Sequence, residues 1–136
     1  MCVLHVSSKN KSFSSFLEKT QFPHYMTHEK AEQYTHRQAS HVDYGFSSVV
    51  SDADFDYLPE QIQDAIEYLT KYQSVLRELI TNHEISDIVL DFPYTCRLLS
   101  ENTITQSDSL PADLLKLAGN LGIRIEMSLY PPSFDE

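Results

Sequence analysis

The longest periodic stretch of the chain is LPEQIQDAIEYLTKYQSVLRELITN, residues 58–82. Its apolar side chains recur at steps of three and four residues, which places them on one face of an α-helix. Pro59 suits a first turn, where its missing N–H is not needed, and Glu60 and Asp64 favour the positive end of the helix dipole. The pattern predicts a helix of about six turns. Its apolar face comprises Leu58, Ile62, Ala65, Ile66, Leu69, Tyr72, Leu76, Leu79 and Ile80.

Shorter elements are predicted on both sides of this helix. Four stretches have the alternating or clustered apolar residues of β-strands, namely residues 2–6, 42–51, 85–92 and 123–130. Ser12 is expected to cap a short helix that ends near Thr20, and Ser109 to cap another with Pro111 in its first turn. Gly122 suits the left-handed position that follows this last helix. Its packed face is predicted to be Leu114, Leu115, Leu117, Ala118 and Leu121.

The order of these elements predicts the fold class. Strand, helix, strand, helix, strand, irregular segment, helix and strand indicate an α+β fold, with a mixed or antiparallel sheet of about four to five strands and helices packed on one face. A chain of 136 residues is one domain's length, so residues 1–136 are expected to form a single domain. Pro93 is expected to end the third strand or to mark an edge. Polar outer residues on the second and last strands indicate a sheet face that is partly open to solvent or to a partner.

The net charge of −10 is unevenly distributed. Residues 1–50 carry +1, residues 51–110 carry −9, and residues 111–136 carry −2. Because nucleic-acid affinity depends on clustered Lys and Arg, the acidic middle segment argues against DNA or RNA binding. It favours a basic protein partner, unless the acidity serves solubility alone.

The compartment is predicted from cysteine usage and hydropathy. Only Cys2 and Cys96 are present, far apart, which favours a reduced intracellular setting. No apolar run approaches the ~20 residues of a membrane span, and the start of the chain is too weakly apolar for a signal peptide. A cytoplasmic protein that does not associate with membranes is expected.

Acidic and aromatic residues cluster where the long helix begins. Asp52, Asp54 and Asp56 alternate as in the start of a calcium loop, but the sixth position holds Tyr57 rather than glycine, so an ordinary calcium loop is excluded. Two interpretations remain: helix capping with solvation, or a surface that binds a basic partner, with Tyr57 and Tyr94 as exposed aromatic anchors. The predicted binding residues are Asp54, Asp56, Tyr57, Glu60, Asp64 and Tyr94.

A second candidate is the histidine-rich segment HYMTHEKAEQYTHRQASH, residues 24–41. On a helix, His24, His28, Glu32 and His36 would share one face, but each four-residue step rises ~6 Å, too far for all four to reach one ion. An adjacent pair with a third ligand from elsewhere is the remaining metal geometry, and a solvated segment is the alternative. Cys96 has no local base that would make it a nucleophile. No metal, cofactor or catalytic residue is predicted.

The last third of the chain resembles a known type of sequence. DFPYTCRLLSENTITQSDSLPADLLKLAGNLGIRIEMSLYPP, residues 91–132, is similar to the C-terminal part of a set of small uncharacterised bacterial cytoplasmic proteins. They share the run QS-x-x-(F/L)P-x-x-LL-x-x-AG-x-LGI followed by SLYP. The resemblance implies a bacterial origin and a helix–strand ending, and it implies no catalytic residue. By an analogy of class that does not rest on this run, many proteins of this size and style are suspected immunity proteins that neutralise toxins.

Two functional hypotheses follow. The first is a non-enzymatic protein that binds a macromolecule, as an immunity protein does when it occludes a basic toxin domain. The second is a small-ligand-binding or metal-dependent enzyme that uses residues 24–41.

Overall fold

The computed structural model describes residues 1–29, 43–98, 102 and 104–132. Eight elements lie within these ranges. They are β1 (Cys2–Ser8), α1 (Ser14–Thr20), β2 (Met26–His28), β3 (Tyr44–Ser51), α2 (Leu58–Asn82), β4 (Asp87–Thr95), α3 (Ala112–Asn120) and β5 (Arg124–Tyr130). The long helix has the bounds that its periodicity predicts.

The five strands form one mixed sheet in the order β2-β3-β1-β4-β5. β1 lies at the centre and pairs antiparallel with β3 and β4, whereas β4 and β5 pair in parallel. The crossover from β4 to β5 contains α3, because parallel neighbours cannot be joined by a tight hairpin. The α+β fold with a five-stranded mixed sheet confirms the predicted class.

The core lies between one face of the sheet and the helices. α2 packs on β3 and β4, and α3 packs on α2 and β5. Phe13 of the segment before α1 and Phe22 after it both contact the Phe46 ring of β3, so α1 lies on the same face. The strand residues buried beneath the helices include Cys2, Leu4, Val6, Phe46, Leu90 and Phe92.

Pro93 does not end its strand, so that part of the prediction was wrong, but it does lie where β4 has no partner among the described strands on its β1 side. β4 continues to Thr95, and the ladder with β5 runs through Pro93 and Ser128 to its end. The last β4 residue paired with β1 is Asp91. Pro93 lies beyond the end of β1, so its missing N–H removes no hydrogen bond from that ladder.

The predicted helix caps also differ from the structure. α3 begins at Ala112 with Pro111 in the capping position, and α1 begins at Ser14 with Phe13 there, so neither Ser109 nor Ser12 is the N-cap residue. Gly122 has the expected left-handed conformation, with φ of 69°. Leu115 is 49% exposed and does not belong to the packed face of α3.

The start of the histidine-rich segment is a strand, not a helix. Met26–His28 forms the short edge strand β2 against β3, which the sequence did not predict. His24 and His28 therefore do not share a helix face, so their four-residue spacing does not bring their side chains together as it would on a helix. Glu32, His36, His41 and the predicted start of the second strand at Val42 lie outside the described residues.

Candidate functional site

The connection from β3 to α2 carries most of the predicted binding residues, and we call residues 52–60 the acidic turn. Backbone hydrogen bonds stabilise this turn. The Tyr57 N–H donates to Asp54 O at 2.9 Å. Tyr57 O in turn accepts from the N–H groups of Glu60 and Gln61, both at 3.1 Å. The Asp54 carboxylate accepts from the Phe55 N–H at 2.6 Å. Asp54 thus helps to shape the turn.

Gln61 joins the acidic turn to β4. This side chain is fully buried, and its Nε2 donates to Asp54 O at 3.1 Å and to Pro93 O at 2.8 Å. Its Oε1 has no hydrogen-bond partner among the described residues. Gln61 was not predicted from the sequence, although a glutamine beside Ile62 on the apolar face of a helix is the available signal.

Asp64 lies one helical turn further along α2 and is partly buried. Its Oδ2 accepts a hydrogen bond of 2.6 Å from Ser51 Oγ at the end of β3. The same Oγ accepts from the Ala53 N–H at 3.2 Å. Asp64 therefore anchors the start of α2 to the sheet, which is a structural role within the fold.

Besides the exposed Asp54, three predicted residues project into solvent. Asp56, Tyr57 and Glu60 are exposed, and Tyr57 is 55% accessible. Within the described ranges none of the three side chains has a hydrogen bond or an ion pair to another residue. Glu60 lies in the first turn of α2, where a carboxylate interacts favourably with the helix dipole. These side chains form a surface with two negative charges and one aromatic ring.

Tyr94 is placed differently from the other five predicted residues. It is half-buried, packs against the core, and faces a cleft of about 450 Å³ rather than open solvent. Leu98, Leu110, Met127 and Leu129 supply the apolar wall of this cleft. Gln61 donates a hydrogen bond to the carbonyl of Pro93, the residue before Tyr94. This bond connects the acidic turn to the strand that borders the cleft.

The connection between β4 and α3 forms the polar wall of the cleft. Gln106 Oε1 accepts from the Arg97 N–H at 2.7 Å, and its Nε2 donates to Thr95 O at 3.2 Å and to Asp108 at 3.1 Å. The guanidinium of Arg97 pairs with Asp108 at 3.0 Å. The length of this connection at the carboxyl end of a strand was the available signal for a cleft.

The sheet face opposite the helices carries polar pairs that bridge neighbouring strands. Asp87 binds the Arg124 guanidinium through two contacts of 2.9 Å, and this hydrogen bonding lowers the pKa of Asp87. Ser128 Oγ donates to Asp91 at 2.6 Å. Val3 and Val89 at the centre of this face are buried, whereas Met26, Val49 and Tyr130 are exposed nearer its margins. The predicted open face is thus accessible at its margins.

Residues suited to metal binding or nucleophilic catalysis are dispersed. The described part of the chain has no cluster of three or more His, Cys, Asp or Glu side chains that could hold a metal ion. His28 Nε2 lies 3.5 Å from Asp43. Burial raises the pKa of the Cys2 thiol, which keeps it protonated and unreactive. No helix in the described ranges is long and apolar enough to cross a membrane.

Comparison of the chain with protein-family models, curated proteins and solved structures gave no match. A function must therefore be inferred from the side chains themselves. The surface formed by Asp56, Tyr57 and Glu60 is the part of the predicted site that remains available for an external partner.

Proposed function

We propose that the chain is a non-enzymatic binding protein whose acidic turn docks onto a basic surface of another protein. The observation that carries this proposal is the set of Asp56, Tyr57 and Glu60, which are exposed and make no side-chain bond to the rest of the described structure. Asp87 and Asp108, by contrast, are already paired with arginines, while Glu18 and Glu78 are exposed acids that lie outside the turn. Charges without internal partners are the ones that a basic surface can neutralise.

Rigidity of the acidic turn supports a binding role. The turn is tied to β4 by Gln61 and to β3 by the hydrogen bond between Asp64 and Ser51. A surface that is ordered before binding loses less conformational entropy when its partner docks. Tyr57 adds an aromatic side chain of the type that anchors interfaces. Asp54 and Asp64 then contribute long-range charge while they hold the turn in place.

The partner that best suits this surface is a basic toxin domain, with the chain as its immunity protein in the bacterial cytoplasm. Nuclease domains carry positive clefts that bind phosphates, and the exposed carboxylates of Asp56 and Glu60 would occupy such a cleft as phosphate mimics, while Asp54 and Asp64 add to the negative charge. Occlusion of the cleft would block the toxin without any chemical step. This assignment draws on an analogy with small bacterial immunity proteins of similar size and style.

The test uses the product of the adjacent gene, because immunity genes lie directly beside toxin genes. Asp56→Lys with Glu60→Lys should weaken binding to that product at least about tenfold and flatten its salt dependence. Glu18→Lys with Glu78→Lys, two exposed acids on α1 and α2 outside the turn, is the matched control. Equal affinity and equal salt dependence for the two double variants would refute the proposal.

A further inference from the structure

β5 forms one edge of the sheet, and no other described strand pairs with its outer side. The N–H of Cys96 donates to Tyr130 O at 2.7 Å, so the peptide groups of Tyr130 face β4. Because peptide groups alternate sides along a strand, those of Ile125, Met127 and Leu129 face outward. The edge therefore presents donors and acceptors to an additional strand.

This edge lacks the usual features that prevent strand addition. Natural edge strands are commonly protected by lysines, prolines, bulges or short length. β5 is seven residues long, contains no Lys or Pro, and pairs with β4 without a register shift. Its one positive and one negative side chain, Arg124 and Glu126, lie 3.7 Å apart. Leu129 and Tyr130 are 52% and 45% exposed, respectively, on opposite faces of the strand.

We propose that β5 pairs antiparallel with β5 of a second copy of the chain, about a two-fold axis through Met127. The two five-stranded sheets would then continue as one sheet. A second copy suits this edge because the strand is self-complementary: both copies turn the peptide groups of the same three residues outward, so they can exchange hydrogen bonds directly.

The side chains select this register. With Met127 opposite its counterpart, all seven residues overlap, and Ile125 lies opposite Leu129 of the second copy on the helix side. On the other face Arg124 lies opposite Tyr130 and Glu126 opposite Ser128, so no like charges are directly opposed. A shift of the pairing by two residues in either direction also keeps outward-facing peptide groups opposite one another. In each of these two registers, however, only five residues of one strand overlap with the other. One of them sets Glu126 opposite Glu126, which is unfavourable.

The local charge also favours this strand as the contact. Each chain carries a net charge of −10, so two copies repel each other, but β5 itself is electrically neutral. Salt screens the long-range repulsion. The dimer is therefore expected to become stronger as salt increases, opposite to the salt dependence expected when the acidic turn binds a basic partner. One strand pair with its adjoining side chains is a small interface, so the dimer is expected to be reversible and concentration-dependent.

The first experiment measures the mass of the full chain by sedimentation from about 1 µM to about 1 mM, the range of weak association. The native chain should shift from monomer to dimer, and Leu129→Lys should raise the dimer dissociation constant at least about tenfold. Leu115→Lys is the matched control, because Leu115 is almost equally exposed but lies on α3. A native chain that stays monomeric throughout, or equal weakening by both variants, overturns the proposal.

The second experiment tests the register by disulfide cross-linking in a Cys96→Ser background, where the remaining Cys2 is buried. Residues opposed across an antiparallel pair have Cα atoms about 5.5 Å apart, within the range that a disulfide spans. Met127→Cys should therefore form a covalent dimer on mild oxidation. Ile125→Cys, whose counterpart would lie about four residues along the strand, should not. Equal cross-linking of the two variants, or none for Met127→Cys, contradicts the proposed pairing.

Discussion

Acidic side chains at the two ends of α2 differ in whether they have partners within the fold. At the first end, Asp56 and Glu60 are exposed and make no side-chain bond within the described structure. At the far end, Glu84 accepts a hydrogen bond from Asn10 at 3.0 Å, and Asp87 is held by Arg124. Lys11 and Lys19 line a cavity of about 480 Å³ there, together with Glu78 and His83. One end leaves acids available for a partner, while the other places acids and bases side by side.

The ends also differ in how they are attached to the sheet. A buried amide, Gln61, fixes the acidic turn to β4, whereas at the far end His83 stacks on Phe13, which precedes α1, at 4.4 Å between centroids. Buried hydrogen bonds with no access to water are costly to remove, while a partly exposed ring contact contributes less. The acidic turn should therefore depend on one residue much more strongly than the far end does.

Replacement of Gln61 is expected to have the largest effect. Gln61→Ala would leave Asp54 O and Pro93 O without their donor and would open a cavity, so the free energy of unfolding should fall by about 2–4 kcal/mol. Gln63→Ala, at an exposed position two residues away, should change it by less than about 0.5 kcal/mol. Urea denaturation measures both. Similar losses for the two variants would contradict the role of Gln61 in holding the turn.

At the far end, His83→Ala should lower the free energy of unfolding by about 1 kcal/mol. The variant loses the stack on Phe13 and the contact of 3.1 Å between Nε2 and Lys11 O. His83→Phe separates these contributions, because it keeps a ring and removes the polar contact, and it should recover part of the stability. A loss for His83→Ala as large as that for Gln61→Ala would remove the difference between the two ends.

The smallest effect is expected at the exposed pair of Asp87 and Arg124. The pKa of Asp87 is lowered by its hydrogen bond to Arg124, so the pair stabilises the fold above the ordinary pKa of an aspartate. This stabilisation is lost as the pH falls through the lowered value. Arg124→Gln should return the pKa of Asp87 toward its ordinary value, as measured by NMR of the carboxyl carbon. An unchanged pKa would show that Arg124 is not its cause.

The fold was predictable wherever a pattern was long enough to specify one element. α2 repeats its apolar spacing over 25 residues, and both of its ends agree with the structure. β2 has only three residues, of which Met26 and Thr27 are exposed, so no alternation could reveal it. The prediction that Pro93 ends the strand failed because a strand can contain proline where no neighbour needs its N–H. Here that depends on where β1 ends, which is a property of the sheet and not of the local sequence.

The candidate site was predictable only as a set of residue types. The acidic turn was identified because its acids lie close together in the sequence, around the start of a helix. The hydrogen bond from Ser51 to Asp64 and the burial of Gln61 depend on contacts across the fold, so the separate roles of these residues could not be assigned in advance. The cleft beside Tyr94 combines residues from β4, β5 and the connection between them, and no local pattern contains all three.

The central position of β1 has a consequence for synthesis on the ribosome. β1 precedes both of its neighbours in the chain, and its pairing with β4 extends to Asp91. At about 5–20 residues per second, about 4–17 s pass between the synthesis of Leu4 and Val6 and the synthesis of that partner strand as far as Asp91. β3 can pair with one side of β1 earlier, but the β4 side of this apolar strand stays without its partner throughout the interval, so the nascent chain is expected to need protection from aggregation until β4 emerges.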